Sequence, residues 1–236
     1  MLLLVDIGNT YIKVKYEIVK TIESDLNLKV TDLISILGEY KFLGVTEVSG
    51  VIISSVVPKL TELFIEYSKE VLEIEPIIVN NQTSRYELDF HEEIGADIIS
   101  TINAVVGENI IIMLGTATVI SYVNDGIVHG AIIAPGVNTS VSSLVNNTAL
   151  LNEFILEVPK EILGKNSTEC MQSGAFFGHA AMIDGLIDRI SATDNAKIIA
   201  MGGFATKIIP LCNHDIEIDN ELLFKGLEKI YYHNVG

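Results

Sequence analysis

The sequence predicts an α/β protein built as two related units, each a mixed sheet carrying a strand–turn–strand hairpin. Three observations predict it. Residues 1–16 read as two short strands around an Asp-Ile-Gly-Asn-Thr tip, and residues 110–123 repeat that layout. Elsewhere short apolar strands alternate with stretches of helical period, the mark of an α/β chain, while the internal repeat points to a duplicated unit.

Residues 1–5, MLLLV, form an apolar run of strand length. In residues 11–16, YIKVKY, Ile12 and Val14 alternate with Lys13 and Lys15, as in a half-buried strand. Between them, Gly8 has the freedom to take φ > 0 and to let an anion near backbone N–H groups. Asn9 and Thr10 add side-chain donors, and Asp6 ends a strand that can aim its carboxylate at a phosphate-borne Mg²⁺. The same residue types close ordinary turns, so the hairpin alone leaves both readings open. In the second hairpin Gly115 falls on Gly8, and Thr118-Val119 on Tyr11-Ile12. Two such hairpins facing each other across a cleft would grip a polyphosphate from both sides. That arrangement resembles the actin-like ATPase and sugar-kinase superfamily, whose fold is ribonuclease H-like.

The remaining elements follow in order. Residues 28–36 and 40–45 carry no decisive pattern. Residues 51–53 read as a buried strand, followed by Ser54-Ser55-Val56-Val57-Pro58. Pro58 starts a helix over 59–72, with Leu60, Leu63, Phe64 and Tyr67 at helical spacing. A short strand at 76–79 leads into a polar loop over 80–93. Gly95-Ala96-Asp97-Ile98 opens a helix that runs to residue 104. Asp97 there is either a first-turn carboxylate favoured by the helix dipole or a base held at a cleft. Residues 130–133 suit a strand, 134–136 a turn, and 137 onward a helix. Lys165-Asn166-Ser167 precedes a long amphipathic helix with an apolar stripe of Met182, Ile183, Leu186, Ile187 and Ile190. His179 on it suits packing or a hydrogen bond better than metal ligation, since no second ligand accompanies it at a suitable spacing. Residues 198–205 form a strand ending in Gly202-Gly203, a candidate shelf for adenine or ribose, and 217–232 read as a terminal helix.

Composition narrows the function. A net charge of −16 over 236 residues argues against nucleic acid, which needs a basic surface. Phosphate remains open, because Mg²⁺ and backbone N–H groups bind it without a positive field. No apolar run approaches a membrane span, and the start lacks the positive region of a signal peptide. Cys170 and Cys212 are too few for a disulfide framework, which suggests the cytoplasm.

The ordered motifs then resemble the type III pantothenate kinases: VDIGNT at 5–10, SSVVP at 54–58, GAD at 95–97, GTAT at 115–118, GAIIAPG at 130–136, GKN at 164–166, MQSG at 171–174, MGG at 201–203 and FKGLEKIYY at 224–232. The resemblance implies two actin-like domains, over 1–112 and 113–236, around a nucleotide cleft. It implies ATP-dependent phosphorylation of pantothenate on its primary hydroxyl, a homodimer, Mg²⁺ carried with ATP, and activation by a monovalent cation such as K⁺ or NH₄⁺. Carried over by position, Asp6, Ile7, Gly8, Asn9, Thr10, Tyr11, Ile12 and Lys13 form the ATP phosphate loop, with Asp6 facing the Mg²⁺. Thr116 becomes a second phosphate contact. Asp97 becomes the proton acceptor. Gly95, Ala96, Ile98 and Ser167 line the pantothenate side, Ser167 standing where the family usually has threonine. Three departures accompany this. Ile98 replaces the usual arginine, whose bidentate grip isoleucine cannot imitate. Met113 replaces an aspartate linked to the monovalent cation, so that cation is in doubt. Leu88, Phe90 and His91 fall where a tyrosine and an Asn-Pro pair are usual, with Tyr86 two residues off. An active kinase with an altered pocket, a silent subunit paired with a regular family member, and a nucleotide-binding regulator all fit this pattern. A Rossmann oxidoreductase does not, since no G-x-G-x-x-G follows the first strand.

Overall fold

A computed structural model describes residues 1–38, 48–88, 94–148, 154–190, 192 and 195–236. The chain forms two compact units: Met1–Val105 with Leu222–Gly236, and Val106–Glu221. A boundary at 112/113 would cut through a strand, and the C-terminal helix belongs to the first unit rather than the second.

In the first unit the apolar opening run becomes β1 (Leu2–Ile7), antiparallel to β2 (Tyr11–Lys15), which in turn pairs with β3 (Val19–Glu23). On its other side β1 pairs in parallel with β4 (Gly50–Ser55), and β4 with β5 (Ile77–Ile78), giving the order β3-β2-β1-β4-β5. Alternation sorts the faces. Leu3, Val5, Ile7, Ile12, Val14, Val51 and Ile53 pack beneath α1 (Val30–Gly38) and α2 (Pro58–Val71), with Leu33, Leu60, Phe64 and Tyr67. Pro58 occupies the first turn of α2, where its missing N–H is no loss. A short strand β6 (Glu87–Leu88) precedes α3 (Ala96–Asn103).

In the second unit β7 (Asn109–Leu114) pairs antiparallel with β8 (Ala117–Asn124), and β8 with β9 (Ile127–Pro135). The β8–β9 turn places Asp125 at φ 49° and Gly126 at φ 82°, the double left-handed pattern of a tight hairpin. Helices α4 (Val137–Asn146), α5 (Ser167–Ile187) and α6 (Ala205–Ile208) supply Val137, Val141, Ala175, Phe176, Ile183 and Ile208 to a core with Ile110, Ile112 and Ile120. On α5 the buried stripe is Ala175, Phe176, His179, Ala180, Ile183, Asp184 and Ile187. Met182 and Leu186 are only half-buried, so the stripe lies one position away from part of the expected one. Strand β10 (Lys197–Met201) pairs in parallel with β7 and with β11 (Glu217–Ile218). The expected terminal helix therefore starts later: 217–218 is strand, and α7 is Leu222–Val235. Gly202 takes φ 111° where a Cβ would overlap the Leu114 carbonyl oxygen, so this glycine is required by the fold, whatever else lies there.

The two hairpins are related, with one correction. Ile7 faces Ile12 across four turn residues, whereas Leu114 faces Thr118 across three. The counterpart of Ile12 is thus Thr118, not Val119, and the counterpart of Asp6 is Met113.

Candidate active site

The site residues of the first unit come from β1, β2 and the start of α3. Asp6 lies inside β1, one residue before the turn, with Lys13 of β2 directly opposite. The turn is held by its own backbone: the Gly8 N–H donates to the Tyr11 carbonyl at 3.0 Å. Ser24, just beyond β3, donates its hydroxyl to the Gly8 carbonyl at 2.6 Å and its N–H to the Thr10 carbonyl at 3.0 Å. Gly8 is not among the glycines with positive φ, so its left-handed freedom is unused and its N–H is already engaged. Asn9 and Thr10 are the exposed polar groups of the turn. Ile7 and Ile12 are fully buried and Tyr11 is exposed, so the two isoleucines could reach a ligand only through their backbones.

Helix α3 starts at Gly95 without a side-chain cap, and the Asp97 carboxylate accepts the Ile98 N–H at 2.9 Å. Its Oδ1 stands 2.5 Å from where a Cβ on residue 95 would be, so the glycine makes room for the carboxylate. Ala96 and Ile98 are buried. Asp97 alone of these four presents a polar side chain.

Burial raises both carboxylates, and the charge of Asp97 also reaches Asp6. Asp6 is pushed up from 3.8 to about 7, mainly because burial disfavours its charge, with the Lys13 ammonium opposing and Asp97 adding to the rise. Burial also raises Asp97, against the lowering effect of backbone N–H groups. A carboxyl so raised takes up a proton more readily near neutrality. One or two carboxylates are also what a Mg²⁺ ion carried by a nucleotide takes from a protein. No group of three or more His, Cys, Asp or Glu able to hold a metal gathers among the described residues, so phosphate oxygens and water would complete its shell.

The other expected residues lie in the second unit. Thr116 sits exposed in the second hairpin turn, its carbonyl accepting the Gly136 N–H at 3.0 Å and the Thr139 hydroxyl at 2.7 Å. Ser167 is the exposed first residue of α5. Its neighbours explain the motif locally: Asn166 caps the Glu169 N–H at 3.0 Å, and Glu169 reaches back to the Lys165 N–H at 2.7 Å. Met113 is half-buried on β7. His179 is buried, its Nε2 3.2 Å from the Pro135 carbonyl oxygen, as its packing reading expects.

Phe90 and His91 lie outside the described residues, and Leu88 is on β6. Tyr86 donates its hydroxyl to the Val105 carbonyl at 2.6 Å, and Arg85 donates to the Asn103 carbonyl at 2.6 Å. Both tie down the C-terminal end of α3, whose eight residues span about 12 Å. Arg85 therefore does not stand in for the arginine missing at 98, nor Tyr86 for the missing tyrosine.

Comparison with known proteins matches this architecture. The type III pantothenate kinase family model covers residues 2–189. The type III pantothenate kinase of Acholeplasma laidlawii is 35% identical over 249 residues, covering 100% of each chain. Among solved structures, a Campylobacter jejuni protein assigned to the Baf family of transcriptional activators superposes with TM-score 0.66 at 18% identity, covering 98% of both chains. The activator of 2-hydroxyisocaproyl-CoA dehydratase from Clostridium difficile, with bound ADPNP, gives TM-score 0.55 at 13% identity, covering 99% of this chain and 94% of that one. At such identities the structures speak for the fold alone, which is that of the actin-like ATPases and sugar kinases. With the family model and a full-length relative in agreement, the chain belongs to the type III pantothenate kinase family.

Proposed function

We propose that this protein transfers the γ-phosphoryl group of ATP to the primary hydroxyl of pantothenate, giving 4′-phosphopantothenate at the entry to coenzyme A synthesis. One observation carries the reading: the same unit holds two carboxylates raised by burial, Asp6 on β1 and Asp97 in the first turn of α3, with the Asp97 charge adding to the rise of Asp6, in a chain that matches pantothenate kinases along its length.

Within this reading each residue has a task. Asp6 faces the metal carried by the nucleotide, while Lys13 beside it offers an ammonium to phosphate. Asn9 and Thr10 meet phosphate oxygens from the turn. Asp97 accepts the proton of the attacking hydroxyl as the oxygen commits to phosphorus. Gly95 and Ala96 border the acceptor through their backbones, and Ile98 lies behind them. Bound Mg²⁺ would neutralise charge on the β- and γ-oxygens, and alignment supplies much of the remaining acceleration. The protein works in the cytoplasm as a homodimer.

The test is ADP release by the purified protein with Mg²⁺-ATP, with and without pantothenate. Pantothenate-dependent release, with phosphate on the primary hydroxyl of the product, supports the reading. ATP binding without transfer to pantothenate contradicts it. Ile98 and Met113 favour one second reading, in which the chain completes its site only beside a family paralogue. Turnover that appears only on mixing the two proteins would establish it.

A further inference from the structure

Ser54 is the in-register partner of Asp6 on the parallel strand β4, so the two side chains leave the sheet on the same face. Gly50 shares that face, and a Cβ there would strike the Tyr231 ring of α7. Lys15, beside Leu4 in the same row pattern, stands over the Phe224 ring of α7 at 5.5 Å. This face is covered by α7, opposite the face that packs beneath α1 and α2, and Ser54 is fully buried. Its Oγ has no hydrogen-bond partner among the described residues. The next residue behaves differently: the Ser55 hydroxyl accepts the Val57 N–H at 3.1 Å and the Thr61 hydroxyl at 2.7 Å. Ser55 is accounted for by the turn into α2. Ser54 is not accounted for by the fold.

A buried hydroxyl without a partner costs stability and persists where something else uses it. In-register neighbours on adjacent strands lie about 4.8 Å apart, so rotation about one side-chain bond brings a serine hydroxyl onto the neighbouring carboxylate. We propose that Ser54 is a positioning residue for the nucleotide's divalent metal: its hydroxyl donates to the Asp6 carboxylate and holds it toward the ion. Asp6 is then flanked on both sides, by the Lys13 ammonium from β2 and by a neutral donor from β4. A neutral donor suits the task, because it orients the carboxylate without cancelling the charge the metal needs. The inference rests on the reading of Asp6 as the residue that faces this metal.

The test needs no turnover. Mn²⁺ is titrated into the protein with the non-hydrolysable nucleotide adenosine β,γ-imidotriphosphate, followed by electron paramagnetic resonance. Melting of the ligand-free protein is recorded beside it. Ser54→Ala is expected to weaken Mn²⁺ binding about ten-fold or more, the usual effect of losing a partner behind a metal ligand, while melting at or above the wild-type temperature. Ser54→Cys keeps the volume with a weak donor and is expected to bind like Ser54→Ala. Unchanged Mn²⁺ affinity in Ser54→Ala, beside lost affinity in Asp6→Asn, overturns the role of Ser54 and leaves Asp6 in place. A lowered melting temperature in Ser54→Ala also overturns it, by making the residue structural. Wild-type protein that binds no Mn²⁺-nucleotide removes the metal reading of Asp6, and this inference with it.

Discussion

Asp97 Oδ1 lies where a Cβ on residue 95 would have to go, so Gly95→Ala must displace the carboxylate or the helix start. Displacement of a catalytic group by about 1 Å costs near 10²-fold in rate, and we expect a loss of that order in kcat with melting little changed. Asp6 gives a prediction of the opposite kind. Folding raises it from 3.8 to about 7, so across that window the folded state holds a proton the unfolded state has lost. Its contribution to the stability of the ligand-free protein is full below about pH 4, falls as pH rises through about 7, and is flat above. Asp6→Asn removes the slope. The variant should melt higher than wild type at pH 8 while losing nucleotide-dependent turnover, and melting curves from pH 4 to pH 8 check this. Met113 occupies the counterpart of Asp6 in the second hairpin, and a thioether is a poor partner for a hard cation. Turnover should therefore be the same in Na⁺ and in K⁺ buffers, as assays in the two would show. At this scale the sequence disclosed the residues that carry a motif, Asp6 and Asp97 among them. It did not disclose Ser24, Ser54 or the reason for Gly95, because each acts through a neighbour brought close only by the fold.

Helix α3 carries Asp97 at one end and is fastened at the other. Arg85, Tyr86 and Lys229 donate to the carbonyls of Asn103, Val105 and Ala104, which satisfies groups a helix end leaves open and places two cations at its negative pole. α7 packs against α3 at Gly226, where a Cβ would overlap the Ser100 carbonyl oxygen. Backbone cannot yield there as a side-chain tip can. Gly226→Ala should cost about 1–3 kcal/mol, in the range of overpacked cores, read as a lowered melting temperature or denaturant midpoint. Periodicity located α2 and α3 to within a residue or two, because each has a proline or glycine start and a clear apolar face. It missed the start of α7 because Glu217–Ile218 joins β10 as an edge strand too short to show a period. It misaligned the second hairpin after its turn because a one-residue difference in turn length leaves the residue types looking alike.

Across the whole molecule, the repeat announced a duplicated α/β architecture, and both sheets are built around a hairpin of that kind. The return of α7 to the first unit had no local signal, since nothing in residues 222–235 says which sheet they cover. No described helix is long and apolar enough to cross a membrane. The proposed function turns on the carboxylates of Asp6 and Asp97 in the first unit, with Asp97 proposed as the group that takes the substrate proton. The most direct measurement is kcat for pantothenate phosphorylation by Asp97→Asn beside wild type, with Mg²⁺-nucleotide affinity measured on both. Asparagine keeps the shape and loses the proton acceptor, so the account predicts a fall in kcat of about 10²-fold or more with nucleotide affinity retained. Wild-type kcat in Asp97→Asn would contradict it, and would return Asp97 to the role of a first-turn carboxylate at the head of a helix.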